Sequence, residues 1–510
     1  MKQTDIPTLI NQMMQPEFYP HPVKLPIELI QTHASYVLLT GEYVYKVKKA
    51  VNFGFLDYSS LAQRLHFCQE EMRVNQSVSP EIYLEVVPIS KTSDGFGLRG
   101  VGEVVEYAVK MRQFPQESLL SSILEQQNLT TTHMEELGKV VARFHQSAQT
   151  NNYIRSFGTV AKIREAIDQN YQQTQKYIGG PQTQQQYEET KQFTDRFFAE
   201  QRELLKSRQK QDWIRECHGD LHLGNICLWQ DKILLFDRIE FNESFRFVDV
   251  MYDVAFVVED LEVRGGKDLG NAFLNTYLEQ TGDWEGLQVL PLYLSRQAYV
   301  RAKVTSFLLD DPAIPDQKKQ DARVTAANYY RLAWQYTCPC QGRLFLMSGV
   351  SGSGKTTVAR QLARQIDGIH IRSDALRKHL AGIPLEQRGG NELYTPAMSE
   401  KTYERLLELG IMLAKAGFSV VLDAKYDRLA FRTLAIAKAN HYQLPIQIIY
   451  CSAPETLLCD RLLSRTGDVS DATVDLLKGQ QAAFEGFTEE EQSLVIRLDT
   501  SQDWESQLLE

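Results

Sequence analysis

No stretch of this sequence approaches the roughly 20 consecutive apolar residues needed to cross a bilayer. The longest apolar runs, Arg343 to Val350 and Phe418 to Leu422, fall well short, and Met1 to Ile10 has no signal-peptide pattern. A cytoplasmic protein with no membrane attachment is expected. Cysteine is sparse. The 7 cysteines (Cys68, Cys217, Cys227, Cys338, Cys340, Cys451 and Cys459) are odd in number and form neither a CxxC pair nor a metal-ligand spacing. Reduced thiols are expected, with Cys338-Pro339-Cys340 read as surface cysteines in a linker. Positive charge is not in excess either: 55 Lys and Arg against 65 Asp and Glu leave a net charge of -10. That balance disfavours an extended nucleic-acid surface, which would rest on cations neutralising phosphates. A small-molecule partner fits better. There is no internal repeat, and nothing in the sequence speaks to oligomeric state.

What is present belongs to a folded globular protein, with 43% hydrophobic and 24% charged residues. At 510 residues the chain exceeds one hydrophobic core, so two large domains are expected. Ser35 to Leu39 and Tyr43 to Val47 read as a hairpin around Thr40-Gly41-Glu42. Ser60 with Gln63 is a capping-box pattern opening a helix. Strands are expected at Glu81 to Pro88 and within Val101 to Phe114, and from Thr132 the pattern turns helical. After a helix ending near Tyr336, Thr337 to Gly342 breaks the pattern and a new α/β pattern starts at Arg343. The expected domains are therefore residues 1–335 and 343–510, joined by a linker at 336–342.

Gly349-Val350-Ser351-Gly352-Ser353-Gly354-Lys355-Thr356 matches GxxxxGK[ST], with an apolar strand before it and an amphipathic helix after it. Such glycines let backbone N–H groups turn toward a phosphate, to which the helix start adds partial positive charge. The nucleotide-binding set is thus Gly349, Ser351, Gly352, Ser353, Gly354, Lys355, Thr356 and Thr357. Lys355 would neutralise the β- and γ-phosphates and Thr356 would ligate Mg²⁺. Ser419-Val420-Val421-Leu422-Asp423 is a buried-strand pattern delivering an acid, which would support Mg²⁺ or activate an acceptor hydroxyl; a strand-capping aspartate is the plainer alternative. Arg461 and Arg465, four apart on an expected helix, can face the phosphates as a lid, or face solvent.

In the first half, His218-Gly219-Asp220-Leu221-His222-Leu223-Gly224-Asn225 sets an Asp and an Asn five apart, and the strand Ile233 to Phe236 then delivers Asp237. Phosphoryl transfer needs this set: Asp220 on the acceptor hydroxyl, with Asn225 and Asp237 on Mg²⁺. Read alone, His218, Asp220 and His222 would also suit a metal cluster. Asp249 and Asp253 follow and would brace the loop.

Residues 342–510 resemble the AAA_33/zeta-toxin-like P-loop kinases, through the P-loop, Ile371-Arg372-Ser373-Asp374-Ala375-Leu376-Arg377, Val420 to Ala424, Arg461 with Arg465, and Asp468 to Ala472. The resemblance implies that Asp374 and Arg377 sit in the acceptor pocket, Asp374 as general base; a helix cap is the bland reading of Ser373-Asp374. Residues 25–310 resemble the aminoglycoside phosphotransferase/choline kinase superfamily through HGDxxxxN and the later Asp. They are closest to a branch marked by Tyr45-Lys46-Val47-Lys48-Lys49-Ala50-Val51-Asn52-Phe53-Gly54-Phe55-Leu56. There a strand lysine holds the α- and β-phosphates and pairs with a helix glutamate. Lys46 best fits the strand position with Lys48 as alternative, and Glu71 the helix position with Glu70 as alternative. Arg238 stands where a Gly would follow Asp237, and no GxGxxG covers the phosphates.

The implied architecture is α/β and α+β in two domains. The first is a protein-kinase-like bilobal fold with a small β-rich lobe and a larger helical one. The second is a P-loop NTPase with a parallel sheet flanked by helices. The expected activity is ATP- and Mg²⁺-dependent phosphorylation of small-molecule hydroxyls by both domains. The competing readings are a nucleotide-sensing domain that regulates the other, a non-catalytic adaptor, and a nucleic-acid end kinase in the second half.

Overall fold

The computed structural model describes residues 7–93, 95–464, 469–470 and 473–508. It divides into two compact units. The first comprises Met1–Leu129, Arg143–Asp260 and Leu292–Thr337; the second comprises Thr130–Ala142, Leu261–Pro291 and Cys338–Glu510.

The first unit opens with a six-stranded antiparallel sheet of β1 (Glu28–Gln31), β2 (Ser35–Leu39), β3 (Tyr43–Lys48), β4 (Tyr83–Thr92), β5 (Gly95–Leu98) and β6 (Val104–Arg112), in the order β1-β2-β3-β6-β4-β5. Alternation along β3 separates two faces. Tyr45 and Val47 join an apolar cluster with Ile10, Met13, Tyr19 and Leu38, whereas Val44 packs with Leu39, Met72, Val109 and Met111. On the Val44 face, Lys46 and Lys48 follow at the same two-residue period. The helix Leu61–Gln76 packs on this sheet, and its Ser60–Gln63 capping box is formed. β1 and β5 complete the sheet at its two edges.

The rest of this unit is mainly helical, with two short antiparallel ladders. β7 (Ile214–Glu216) pairs with β10 (Phe247–Asp249), and β8 (Ile226–Trp229) with β9 (Lys232–Leu235). Gln230 and Asp231 join β8 to β9 with φ of 53° and 59°, the two left-handed residues of a tight I′ hairpin turn. That hairpin positions the site. It folds the chain back so that the Phe236 N–H donates to the Asn225 carbonyl at 3.0 Å, bringing the segments before β8 and after β9 together.

The second unit holds a five-stranded all-parallel sheet: β11 (Arg343–Ser348), β12 (Ile369–Arg372), β13 (Ser419–Asp423), β14 (Ile446–Ser452) and β15 (Val495–Asp499). Their order is β12-β13-β11-β14-β15. The strands are near-continuous apolar runs because helices cover the sheet. Phe345, Met347, Val421, Ile449 and Leu498 pack against Val358, Ala359 and Leu362 of the helix Lys355–Gln365. Ligands of such sheets sit beyond the carboxyl ends of the strands, which here is where the β11 and β13 loops lie. No described helix is long and apolar enough to cross a membrane.

Candidate functional site

In the first unit, Lys46, Asp220 and Asp237 line one cavity of about 340 Å³ whose walls are largely apolar, among them Val37, Leu39, Val44, Ile82, Met111 and Phe236. The Lys46 ammonium lies 2.8 Å from Glu71 and 2.6 Å from Asp237. Lys48 also reaches Glu71, at 2.7 Å, and Glu240, at 2.5 Å, but its side chain is 1% exposed against 14% for Lys46. Only Lys46 of the two lines the cavity. Glu70 instead pairs with Arg73 at 3.0 Å and Arg246 at 3.4 Å.

Burial would strip the charge from Lys48, but Glu240 and Glu71 outweigh it and hold the ammonium well above its usual pKa. Lys48 therefore supports the lysine–glutamate pair from beneath. Lys48→Met removes one partner from two buried carboxylates and is expected to destabilise the unit by about 3–5 kcal/mol. Urea denaturation followed by the fluorescence of this unit would measure it, and a loss below ~1 kcal/mol would refute the supporting role.

The loop carrying Asp220 is held by buried acids. Both oxygens of Asp253 accept backbone N–H groups, from His218 at 2.7 Å and Gly219 at 2.8 Å, and His145 lies 3.1 Å away. Asp260 accepts the Leu223 N–H at 3.0 Å and pairs with Arg301 at 3.1 Å. No motif spacing announced Asp260. Asp249 does not brace the loop as expected. It forms a buried pair with Arg208 at 2.6 Å and accepts the Met251 N–H at 3.0 Å. The reason is reach: Arg208 lies in the last turn of the helix Arg202–Lys210, whose position no local pattern reveals.

The metal-cluster reading of the two histidines is overturned by geometry. Nδ1 of His218 accepts the Asp220 N–H at 3.3 Å and Nε2 meets the Phe236 carbonyl at 2.9 Å, so both ring nitrogens are used. Burial lowers the His218 pKa to about 4, keeping the ring neutral.

Asn225 donates its amide N–H to the Asp220 carbonyl at 2.9 Å, which leaves the amide oxygen as its cation-binding end. Asp237 adopts φ 61°, and its N–H donates to the Tyr83 hydroxyl at 3.0 Å. An amide oxygen with a carboxylate is a hard donor set suited to Mg²⁺. Arg238, where a glycine was missed, stitches the metal loop to its surroundings. Its N–H donates to Asn75 at 2.9 Å, and its guanidinium donates to the Val74 carbonyl at 2.5 Å and the Glu216 carbonyl at 2.7 Å. The turn between β1 and β2 has no glycine. Thr32 Oγ1 accepts the Ser35 N–H at 2.9 Å and fixes the turn instead.

His222 faces Asp220, with Nε2 3.5 Å from Oδ2. Burial would lower the His222 pKa, but the Asp220 carboxylate outweighs it and raises the value above the usual imidazole range. The pair therefore stabilises the fold fully at pH below the ordinary histidine value, and that contribution is lost as pH rises through the raised one. Protonated His222 also ties up the carboxylate. The acid limb of transfer by this site should accordingly move to lower pH in His222→Asn, as read from kcat/KM against pH; an unmoved limb would reject the pairing.

In the second unit, Ser351, Gly352, Gly354, Lys355, Thr356, Thr357, Asp374, Asp423 and Arg461 line one cavity of about 1080 Å³. Gly349 and Ser353 complete the loop. Gly349 has φ 132°, and a Cβ there would meet the Cys451 carbonyl at 2.4 Å, so only glycine fits. The Ser353 hydroxyl is buried with no hydrogen-bond partner among the described residues, an orphaned donor suited to a phosphate oxygen. Lys355 donates to the Val350 carbonyl at 2.7 Å, and burial lowers its pKa.

Asp423 ends β13 and takes a 3.0 Å contact from His370 Nε2. Burial would raise its pKa, but His370, Arg372 and Lys355 bring it down to about 2, so it remains a carboxylate. A group so weakly basic suits metal support rather than proton abstraction. Asp374 lies in the first turn of the helix Ser373–Ala381 and pairs with Arg377 at 2.7 Å. The capping alternative is not realised, since Arg372 is the N-cap and no side chain caps the helix. Arg461 donates to the Thr500 carbonyl at 2.8 Å and the Gly352 carbonyl at 3.3 Å, at the floor of the P-loop. Arg465, Asp468, Asp471 and Ala472 lie outside the described residues.

Residues 63–290 match the phosphotransferase enzyme family APH, and residues 344–487 match the AAA domain family AAA_33. An uncharacterised protein of Mycobacterium tuberculosis is 29% identical over 454 residues, 88% of each chain. Among solved structures, a choline/ethanolamine kinase family protein from Mesorhizobium loti is 10% identical, covering 64% of this chain and 98% of that one, with a TM-score of 0.38. A sugar kinase from a Janibacter species is 24% identical, covering 33% and 91%, with a TM-score of 0.26. The chain is a phosphotransferase enzyme in which a segment matching the APH family precedes one matching the AAA_33 family.

Proposed function

We propose that the chain is an ATP-dependent kinase with two sites, each passing the γ-phosphoryl group to a hydroxyl of a small molecule. The observation that carries this reading is the convergence of Lys46, Glu71, Asp220, Asn225 and Asp237 in one unit and of Lys355, Thr356, Asp374 and Asp423 in the other. In the first, Lys46 orients the α- and β-phosphates, Asp220 accepts the acceptor's proton, and Asn225 with Asp237 holds Mg²⁺. In the second, the P-loop amides and Lys355 hold the phosphates, Asp374 takes the acceptor's proton, and Thr356 and Asp423 support the metal, while Arg461 fixes the P-loop backbone at Gly352. Bound Mg²⁺ supplies charge neutralisation across the phosphate oxygens.

Incubation with Mg·ATP and a metabolite extract, read by mass spectrometry for phosphorylated products, tests the reading. Wild type should give products that Asp220→Ala and Lys355→Ala remove selectively. ATP hydrolysis without product, abolished by Lys355→Ala, would favour a regulatory NTPase. One observation supports a second reading for the AAA_33 site: Arg372, Arg377, Arg388 and Arg428 all line its cavity, which suits an anionic acceptor such as a nucleic-acid 5′ end. Transfer to a 5′-hydroxyl oligonucleotide would decide for it.

A further inference from the structure

Among the described residues β12 is an edge strand that pairs with β13 alone. Its open side is met by the helix Lys267–Thr281, which belongs to the same compact unit although the APH match runs through it to residue 290. Asn271 and Asn275, one turn apart, treat β12 as a neighbouring strand would. Both donate to the Gly368 carbonyl, at 2.9 Å and 3.0 Å, and Asn275 Oδ1 accepts the His370 N–H at 2.7 Å. Asn275 also donates to Asn271 Oδ1 at 2.9 Å, fixing both amides. Further along, Glu279 pairs with Arg372 at 3.4 Å and its carbonyl meets His379 Nε2 at 2.7 Å. His370, held at its backbone in this way and 5% exposed, directs Nε2 onto Asp423 at 3.0 Å.

We infer that Asn275 and His370 are positioning residues of the AAA_33 site: the helix Lys267–Thr281 sets the backbone of His370, and the His370 ring sets the carboxylate of Asp423. The functional half rests on the proposed role of Asp423 in metal support. The structural half does not. Groups that orient a metal-supporting carboxylate typically change metal affinity 10- to 100-fold when lost.

The test uses the full chain. Asn275→Leu removes both the donor and the acceptor; Asn275→Asp keeps the acceptor for His370 N–H and is the milder change should the first fail to fold. Two readouts are taken: the Mg²⁺ concentration for half-maximal binding of a fluorescent ATP analogue at the P-loop, and the ¹⁵N shift of His370 Nε2, which reports its bond to Asp423 without any catalysis. Asn275→Leu is expected to raise the Mg²⁺ requirement about tenfold and move the Nε2 resonance, and Asn275→Asp to restore most of both. Transfer by the Asp220 site should stay unchanged. An unmoved Nε2 resonance in Asn275→Leu, or in Asn275→Ala should the leucine variant not fold, overturns the inference. A moved resonance with an unchanged Mg²⁺ requirement overturns its functional half, and analogue binding that Lys355→Ala leaves unchanged would instead count against the P-loop reading itself.

Discussion

Asp220→Ala is expected to lower phosphoryl transfer by the APH-family site by about 10²–10⁴-fold, the usual contribution of a positioned proton acceptor. The loss should fall on kcat, because Lys46 and the apolar walls of the cavity are untouched. Folding should persist as well. The loop backbone is held by Asp253 and Asp260 rather than by Asp220, whose side chain is 42% exposed. Single-turnover transfer with saturating ATP, set beside the thermal midpoint, separates the two effects. A decrease under tenfold with an unchanged midpoint would remove Asp220 from the chemistry.

Lys355→Ala should have an effect of similar size at the other site, about 10²–10³-fold for loss of one preorganised cation facing the phosphates. In the structure Lys355 folds back onto its own loop, at the Val350 carbonyl, and burial makes its charge costly. Both features leave it ready to exchange a carbonyl for a phosphate. The measurement is P-loop-dependent ATP turnover and nucleotide affinity together, and each should fall. Turnover lost with affinity intact would confine the lysine to the transition state; no change in either would place the nucleotide elsewhere.

The sequence carried most of what is local. The hairpin of β2 and β3, the capping box at Ser60, the P-loop between strand and helix, and the Asp220–Asn225–Asp237 arithmetic all depend on spacing within a few tens of residues. What it could not settle is depth and distance. Lys46 and Lys48 share a strand face and both reach Glu71, so alternation cannot rank them; only the extent to which neighbouring groups cover each ammonium does. Asp260, Arg238 and Asn275 act on partners 37, 164 and 95 residues away. Arg238 looked like a missing glycine because its reach to the helix Leu61–Gln76 has no local trace. Asp249 and Asp253 are equivalent by spacing, yet a distant arginine claims one and the catalytic loop the other.

The asparagine pair on β12 has a consequence for solubility. An open strand edge is a template on which other chains add as strands, and natural sheets protect such edges with covering helices. Here the protection of the AAA_33 sheet is encoded more than 60 residues upstream of the strand that opens it, inside the segment matched to the other family. A fragment cut at Arg343 would keep every residue of the P-loop and lose the cover of Gly368 and His370. Such a fragment is expected to aggregate edge to edge, and to come out of solution before any of its catalytic groups has failed.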